Sequence, residues 1–191
     1  MSCPHVDVAL VHAPVVNRQG EVIGSAVTNL DLHDIARACR TFGIDTYWVV
    51  TPYDSQRELS EQIISHWLEG HGKIANPDRG NALSLIRIRA ELDEVIAETR
   101  EKWGTEVLVV ATCAGRQPET MAYPELRHKI AQGFPVLLLF GTGWGLAPEI
   151  FSRVNISLPP IQGTGNYNHL SVRSAASIIL DRLLGNREDD A

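Results

Sequence analysis

Short apolar runs alternate with amphipathic stretches along almost the whole chain. The apolar runs are rich in Val, Ile and Leu without polar alternation, which is typical of strands covered on both faces. These predicted strands are VDVALVHAP (6–14), TYWVVTP (46–52), EVLVVATC (106–113), PVLLLFG (135–141) and NISLP (155–159), with a shorter apolar stretch at LSLIRI (83–88).

The stretches between these runs have the 3.6-residue periodicity of helices. They are NLDLHDIARACRTFG (29–43), SQRELSEQIISHWLEG (55–70), ELDEVIAETREKWG (91–104), YPELRHKIAQG (123–133), LAPEIFSRV (146–154) and LSVRSAASIILDRLLG (170–185). Strands alternating with helices predict a mostly parallel sheet with helices on both faces. We therefore expect one α/β domain over residues 1–191.

Capping residues and polar stretches suggest where the elements end. Asn29 or Asp31 is a candidate N-cap for the first helix, and Gly43 is a candidate stop. The segment HGKIANPDRGN (71–81) has the composition of a long polar loop, and 15–24 is rich in turn residues. We expect the charged tail, 185–191, to be frayed.

The composition is that of an ordinary globular protein, with 44% apolar and 21% charged residues. No run approaches the roughly 18 apolar residues of a membrane span, and the N-terminus lacks the pattern of a secretory signal. The cysteines, Cys3, Cys39 and Cys113, are widely spaced, which argues against a disulfide framework or zinc site. We therefore expect a cytoplasmic protein without a metal.

The net charge of −6 argues against a broad, non-specific nucleic-acid binder. The basic residues are nevertheless unusual, because fourteen are arginines and only three are lysines. Local arginine patches for RNA contact are still compatible with this charge. The candidates are Arg18, Arg37, Arg40, Arg116 and Arg173.

The stretch LLLFGTGWGLAPEI (137–150) carries an apolar run into a loop with three glycines in five residues. A dinucleotide site is excluded because the loop follows a late strand and no Asp or Glu occurs between Glu149 and Asp181. A phosphate loop requires a lysine, and none follows Lys129. The GxSxG pattern of a nucleophile elbow is absent as well. On this loop alone, a bare turn and a ligand site remain equally acceptable.

A second glycine-bearing loop, SLPPIQGTGNYNHLS (157–171), follows the next predicted strand. Ligands of α/β sheets bind beyond the carboxyl ends of the strands, where these two loops could face each other. The helix that follows begins with the small residues Ala175, Ala176 and Ser177, which allow another backbone to approach closely. The pair of loops favours a ligand site over a bare turn.

At these residues the chain resembles the SPOUT class of S-adenosylmethionine-dependent RNA methyltransferases. LFGTGWGL (139–146) is similar to their second motif, and LPPIQGTGNYNHLSVRSAASIIL (158–180) to their third, which is the more specific of the two. TNLDLHDIARACRTFG (28–43) is similar to the first motif, with a longer spacing between its Asn and its Arg. The resemblance covers nearly the whole chain and implies a deep trefoil knot in its C-terminal part.

The resemblance also implies a bent S-adenosylmethionine held by backbone groups of both loops. Glycine permits such close approach, and a neutral adenine edge needs no acid. The residues assigned to the cofactor are Thr112, Cys113, Phe140, Gly141, Thr142, Gly143, Gly145, Leu146, Leu158, Pro160, Ile161, Tyr167, Asn168, His169, Leu170 and Ser171. For the apolar residues of this set, the alternative is that they pack in the core and do not contact the cofactor.

Three further residues are candidates for catalysis. Arg37 aligns with the motif arginine of ribose 2′-O-methylating relatives, where a guanidinium would hold a phosphate or depress the pKa of the acceptor hydroxyl. Arg40 would assist from a neighbouring face, and Asn29 would orient the loop. Asp31 or Asp34 could instead serve as the base in a guanine-N1 reaction, although helix capping explains both.

The resemblance further implies an RNA substrate, tRNA or rRNA, and a homodimer with sites built partly from both subunits. Trp144 has no evident core role and could stack on a base or on the partner subunit. Two alternatives remain. One is a flavodoxin-like hydrolase or amidotransferase with Cys113 as its nucleophile; the other is a knotted module that binds cofactor or RNA without turnover.

Overall fold

The fold is built on one parallel sheet, seen in a computed structural model that describes residues 4–165 and 167–186. Six strands run in the order β5-β4-β1-β7-β6-β8, and every neighbouring pair is parallel. These strands are β1 (Val6–Val11), β4 (Tyr47–Val50), β5 (Ile86–Arg89), β6 (Leu108–Ala111), β7 (Val136–Gly141) and β8 (Ile156–Ser157). A separate antiparallel hairpin contains β2 (Val15–Val16) and β3 (Val22–Ile23).

Helices connect the strands and cover the sheet. They are α1 (Asn29–Thr41), α2 (Asp54–Leu68), α3 (His71–Ala75), α4 (Pro77–Leu83), α5 (Leu92–Trp103), α6 (Tyr123–Ala131) and α7 (Val172–Leu184), together with a 3-10 helix (Pro148–Arg153). Within the described part of the chain, no helix is both long and apolar enough to cross a membrane.

Two apolar cores lie on opposite faces of the sheet, because alternate residues of a strand point to opposite sides. Leu10 and Leu138 pack with residues of α1, α6 and α7 on one face. Val11 and Leu139, their neighbours in sequence, pack with residues of α5 and the 3-10 helix on the other. The prediction of a mostly parallel sheet covered on both faces is confirmed.

Two predicted boundaries differ in the structure. The N-cap of α1 is Thr28, whose hydroxyl accepts from the amide of Asp31, and neither Asn29 nor Asp31 caps the helix. In the predicted helix 146–154, the structure has a shorter 3-10 helix, Pro148–Arg153. The expected stop is observed, since Gly43 has a left-handed φ of 71° directly after α1.

The segment predicted as a polar loop, 71–81, instead contains α3 and most of α4. Asn76 caps α4 by accepting from the amide of Arg79, and Pro77 is suited to the first helical position. Gly80 lies so close to the carbonyl oxygen of Trp67 that a Cβ there would be 2.7 Å away. Local capping and this close contact with α2 therefore order a stretch whose composition suggested a loop.

The return of the chain from β8 to α7 agrees with the predicted knot. β8 lies at the edge of the sheet beside β6, whereas α7 packs against α1, α6 and β7. Residues 158–165 and 167–171 thus lie near the carboxyl ends of β6 and β7. The apolar faces of α1 and α7, including Ile35 and Ala176, are buried in the core, so they are not available as a dimer surface.

At the opposite end of the sheet, a fully buried carboxylate anchors β1. Lys102 of α5 places its Nζ 2.7 Å from both oxygens of Asp7 and 2.7 Å from Asp45. The indole of Trp48 also donates to Asp7. Burial raises the pKa of Asp7 even though Lys102 acts in the opposite direction. Asp7 therefore depends on Lys102 to remain charged.

We predict that Lys102→Ala lowers the free energy of unfolding by about 3 kcal/mol at pH 7, because a buried carboxylate loses its partner. Loss of the partner raises the folded-state pKa of Asp7 further above its unfolded value. The deficit relative to wild type should therefore shrink as the pH falls and Asp7 takes up a proton. Urea denaturation at pH 7 and pH 4.5 measures both effects.

Lys129→Ala is the matched control, since Lys129 lies at the surface over the ring of Phe134. A deficit for Lys102→Ala that is no larger than that of the control would contradict the prediction. So would a deficit that grows towards acidic pH.

Candidate functional site

A pocket of about 860 Å³ opens at the carboxyl ends of β6, β7 and β8. Three loops that follow these strands form most of its wall, and the start of α1 and of α7 complete it. A parallel sheet places all three carboxyl ends at one edge, where ligands of α/β proteins bind. Its volume lies within the range of small-molecule sites.

The loop after β7 folds back tightly on itself. The amide and the hydroxyl of Thr142 both donate to the carbonyl of Val11, at 3.3 and 3.1 Å. Gly145 then closes a turn by donating to the carbonyl of Thr142 at 3.0 Å. A Cβ on Gly141 would lie 2.6 Å from the amide nitrogen of Leu146. The loop can adopt this shape only with glycine at position 141.

The β2–β3 hairpin braces the same loop from outside. Trp144 donates its amide to the carbonyl of Val16, and Val16 donates to the carbonyl of Gly145, both at 2.9 Å. Gly143 has a φ of 59°, and a Cβ there would lie 2.9 Å from the carbonyl oxygen of Val16. The glycine loop is thus fixed between β1 and the hairpin.

The loop after β8 is joined to the loop after β6. The side-chain amide of Asn168 donates to the carbonyl of Ala114 at 2.8 Å. Ser171 then caps α7 by accepting from the amide of Ser174 at 3.2 Å. The apolar wall between these polar contacts includes Leu158 and Ile161. Residues of both predicted glycine-bearing loops, such as Gly143 and His169, line this one pocket.

A chain of polar side chains lies beneath the glycine loop. Ser25 Oγ lies 2.5 Å from Thr142 Oγ1 and 3.1 Å from Nδ1 of His12. His12 is fully buried, and its Nε2 has no partner among the described residues. Burial lowers its pKa to about 4. His12 is consequently a neutral structural support at physiological pH, not a cationic group.

The acidic and basic side chains of the pocket pair with each other. Arg173 of α7 donates to Asp31 of α1 at 2.9 Å and lies 3.5 Å from Asp34. The second oxygen of Asp31 accepts from the hydroxyl of Thr28 at 2.7 Å. Asp31 is the one carboxylate that lines the pocket in the described part of the chain, and Arg173 offsets its charge.

Most of the residues predicted to hold a cofactor come together around this pocket. Those that line it are Thr112, Cys113, Phe140, Gly141, Thr142, Gly143, Gly145, Leu158, Ile161, Asn168, His169, Leu170 and Ser171. Leu146, Pro160 and Tyr167 lie outside the lining: Leu146 is buried in the core, and Tyr167 is 80% exposed. Their roles in binding remain predictions.

The predicted catalytic side chains are not brought to this pocket within one chain. Asn29, Arg37 and Arg40 are exposed on α1, and none of them lines the pocket. Arg37 lies six residues beyond Asp31, about 9 Å further along the helix axis. Arg37 therefore lies away from the pocket of its own chain.

Sequence reasoning did not assign Ser25, Thr28 and Arg173 to the pocket wall. Thr28 carries a signal, because a threonine three residues before an aspartate is a typical helix start. Ser25 carries none, since its contact with Thr142 joins residues 117 positions apart. Arg173 could be foreseen only as a basic residue at the start of the last helix.

Cys113 lacks the properties of a nucleophile. Burial raises the pKa of its thiol to about 11, whereas a reactive cysteine requires a lowered pKa. Among residues 4–165 and 167–186, no three His, Cys, Asp or Glu side chains lie together as a metal site requires. Cys3 lies outside the described residues.

The family follows from comparison of the chain with known proteins. A profile of the family described as SAM-dependent RNA methyltransferase matches residues 5–185. The chain is 40% identical over 187 residues to an uncharacterized protein of Aquifex aeolicus, covering 97% of this chain and 91% of that one. It is 45% identical over 177 residues to a protein of Oleidesulfovibrio alaskensis named tRNA (guanine-N(1)-)-methyltransferase.

Solved structures share the fold at lower identity. A tRNA-modifying enzyme of the TrmH/SpoU type from A. aeolicus has a TM-score of 0.60 at 16% identity, covering 98% of this chain and 77% of that one. The SpoU methyltransferase AviRb of Streptomyces viridochromogenes, solved with its cofactor AdoMet, has a TM-score of 0.56 at 18% identity, covering 93% and 56%.

The fold is that of the SpoU/TrmH methyltransferases. The chain belongs to the SAM-dependent RNA methyltransferase family, as the match over residues 5–185 shows. The match to the O. alaskensis relative spans 93% of this chain but only 41% of that protein. More than half of that relative therefore has no counterpart in the aligned region.

We predict that Gly141→Ala deforms the pocket, because its Cβ would collide with the backbone at Leu146 and Gly145. Overpacking of this kind costs about 1–3 kcal/mol of stability. Urea denaturation followed by Trp fluorescence measures the loss. Gly115→Ala is the matched control, since Gly115 also lines the pocket but a Cβ added there would meet no atom within 4 Å. Equal stability of the two variants would contradict the prediction.

Proposed function

We propose that this protein binds S-adenosylmethionine in the pocket at the carboxyl ends of β6, β7 and β8 and transfers its methyl group to RNA. The observation that carries the proposal is the meeting of the two glycine-bearing loops around one pocket of about 860 Å³, in a chain of the SAM-dependent RNA methyltransferase family. A protein that keeps the pocket but lacks turnover is the alternative that the experiments below distinguish.

The lining fits this cofactor chemically. Leu158, Ile161 and Phe140 provide apolar surface for a flat base, and the exposed loop backbone at Gly115 provides donors and acceptors. Neither a lysine nor an unpaired carboxylate is present in the described lining. The pocket therefore suits a neutral, hydrogen-bonding adenosine better than a free phosphate.

When bound, S-adenosylmethionine supplies a methyl group attached to a positively charged sulfur. The protein contributes position and surroundings, which account for most of the rate in such an in-line transfer. Thr142 fixes the loop after β7 to β1, Asn168 fixes the loop after β8 to the loop after β6, and the Asp31–Arg173 pair holds α1 against α7. The pocket is thus shaped before any ligand enters.

The acceptor is either a ribose hydroxyl or guanine N1. Each of them gives up a proton when it is methylated, and both oxygens of Asp31 are already occupied by Arg173 and Thr28, so Asp31 is poorly placed to take that proton in either reaction. The guanine-N(1) name belongs to a relative of which the chain spans only 41%. Mass spectrometry of nucleosides from methylated RNA separates a 2′-O-methyl product from 1-methylguanosine.

We also propose a homodimer in which Arg37 acts on the site of the partner subunit. Arg37 is exposed and does not line the pocket of its own chain. Its α1 also presents Leu30, 58% exposed, on the surface. A guanidinium brought across the interface could hold a phosphate of the RNA bidentately.

Filling the pocket tests cofactor binding. Ala175→Phe places a ring in the lining, and it should abolish binding of S-adenosylmethionine measured by calorimetry and methyl transfer to RNA from a deletion strain. Ser177→Phe, on an exposed position of the same helix, is the matched control. Absence of binding by wild type at millimolar cofactor would end the proposal. Binding by wild type without transfer to any RNA would favour the inactive module.

Arg37→Ala should retain cofactor binding and lose methyl transfer. Mixing the Arg37→Ala and Ala175→Phe proteins then distinguishes the arrangement of the subunits. If Arg37 serves the partner, a heterodimer contains one site with an intact pocket and an arginine, and activity returns towards a quarter to a half of wild type. An inactive mixture that has been shown to form heterodimers would place Arg37 in its own site or remove it from catalysis.

A further inference from the structure

A group of exposed aromatic rings stands at the mouth of the pocket. Trp144, 55% exposed, meets the ring of His169 edge-to-face with centroids 5.4 Å apart. His169 meets Tyr167 in the same manner at 5.3 Å. A contiguous group of exposed rings often marks an interaction site. We call Trp144, His169 and Tyr167 the mouth cluster.

Backbone contacts fix Trp144 where it is. Its amide donates to the carbonyl of Val16, and the flanking Gly143 and Gly145 form the braced loop described above. The ring itself is not packed into either apolar core. A rigid backbone thus presents a large flat side chain to the exterior at the edge of the cofactor pocket.

A positive charge accompanies the cluster. The guanidinium of Arg18, at the tip of the β2–β3 hairpin, lies 6.0 Å from the centroid of the Trp144 ring. Within residues 4–165 and 167–186, no carboxylate forms an ion pair with Arg18 or with Arg116 of the loop after β6. An aromatic surface beside an unpaired arginine matches the chemistry of a nucleotide, with a base to stack and a phosphate to bind.

We infer that the mouth cluster is the subsite for the acceptor nucleotide: the base of a single-stranded or extruded nucleotide stacks on Trp144, and Arg18 contacts the adjacent phosphate. This inference rests on the proposed function, because it assigns the RNA side of the same site. A base seated on Trp144 brings its own ribose to the pocket mouth. The subsite therefore accepts unpaired RNA, since a base within a duplex exposes no face.

The test compares binding of two labelled oligonucleotides of about twelve nucleotides, one with ordinary bases and one abasic, by fluorescence anisotropy with saturating S-adenosylhomocysteine. Wild type should bind the base-containing RNA more tightly. Trp144→Ala should weaken that binding about 5- to 150-fold, the effect of one stacked base, and leave abasic binding unchanged. Trp144→Phe should restore most of the preference.

Arg18→Ala should weaken binding of both oligonucleotides alike and reduce the slope of log affinity against log salt by about one. The control pair is Phe134→Ala and Lys129→Ala. Phe134 is 51% exposed, and the Lys129 ammonium lies 5.4 Å from its ring centroid. Because Phe134 precedes β7, it lies at the amino ends of the strands, opposite to the pocket. Neither control should alter the binding of either RNA.

Calorimetry with S-adenosylmethionine on the same variants separates this inference from the proposed function. If the wild type does not bind the cofactor, the proposed function is wrong. The binding of base-containing and abasic RNA then decides the inference about Trp144 by itself. The inference itself is overturned by unchanged RNA binding of Trp144→Ala, by a wild type that does not prefer bases over abasic RNA, or by loss of cofactor binding in Trp144→Ala.

Discussion

The contact between the backbone of the glycine loop and the β2–β3 hairpin determines the geometry of the site. Two hydrogen bonds of 2.9 Å join Val16 to Trp144 and Gly145, and the loop leaves no space for a Cβ at Gly141 or Gly143. The loop's orientation determines both the pocket wall and the direction of Trp144. The β2–β3 hairpin, a minor element of the fold, thus fixes both the wall of the pocket and its mouth.

The pairing of Arg173 with Asp31 provides the second constraint. It joins residues 142 positions apart, on the helix that follows the β2–β3 hairpin and the helix that ends the fold. Because Asp31 lies in the pocket and is mostly buried, its charge would be costly without a partner. The pair therefore holds α7 beside α1 and offsets the charge of the one carboxylate that lines the pocket among the described residues.

Much of the fold was predictable from the sequence because buried parallel strands have a strong local signal. The run Val136–Phe140 is apolar at every position. Such a run is stable only in the interior of the fold, where both of its faces are covered. The helices α3 and α4 were missed since their stability comes from the Asn76 cap and from contact with α2, both hidden within a polar composition.

The pocket loops were predictable from their glycines. The hydroxyl of Ser25 and the pairing of Arg173 were not, because only the tertiary return of the chain brings them to the wall.

Charge distribution explains how an acidic chain could act on RNA. The net charge of −6 describes the whole surface, but the phosphates of a bound RNA interact mainly with charges within about a Debye length, 8–10 Å at ordinary salt. At the pocket mouth, Asp31 and Asp34 are paired with Arg173, while Arg18 and Arg116 lack carboxylate partners in the described structure. Two arginines without a carboxylate partner in the described structure are therefore available to RNA phosphates on this side of the molecule. Repulsion from the remaining, acidic surface would disfavour non-specific binding of RNA elsewhere on the molecule.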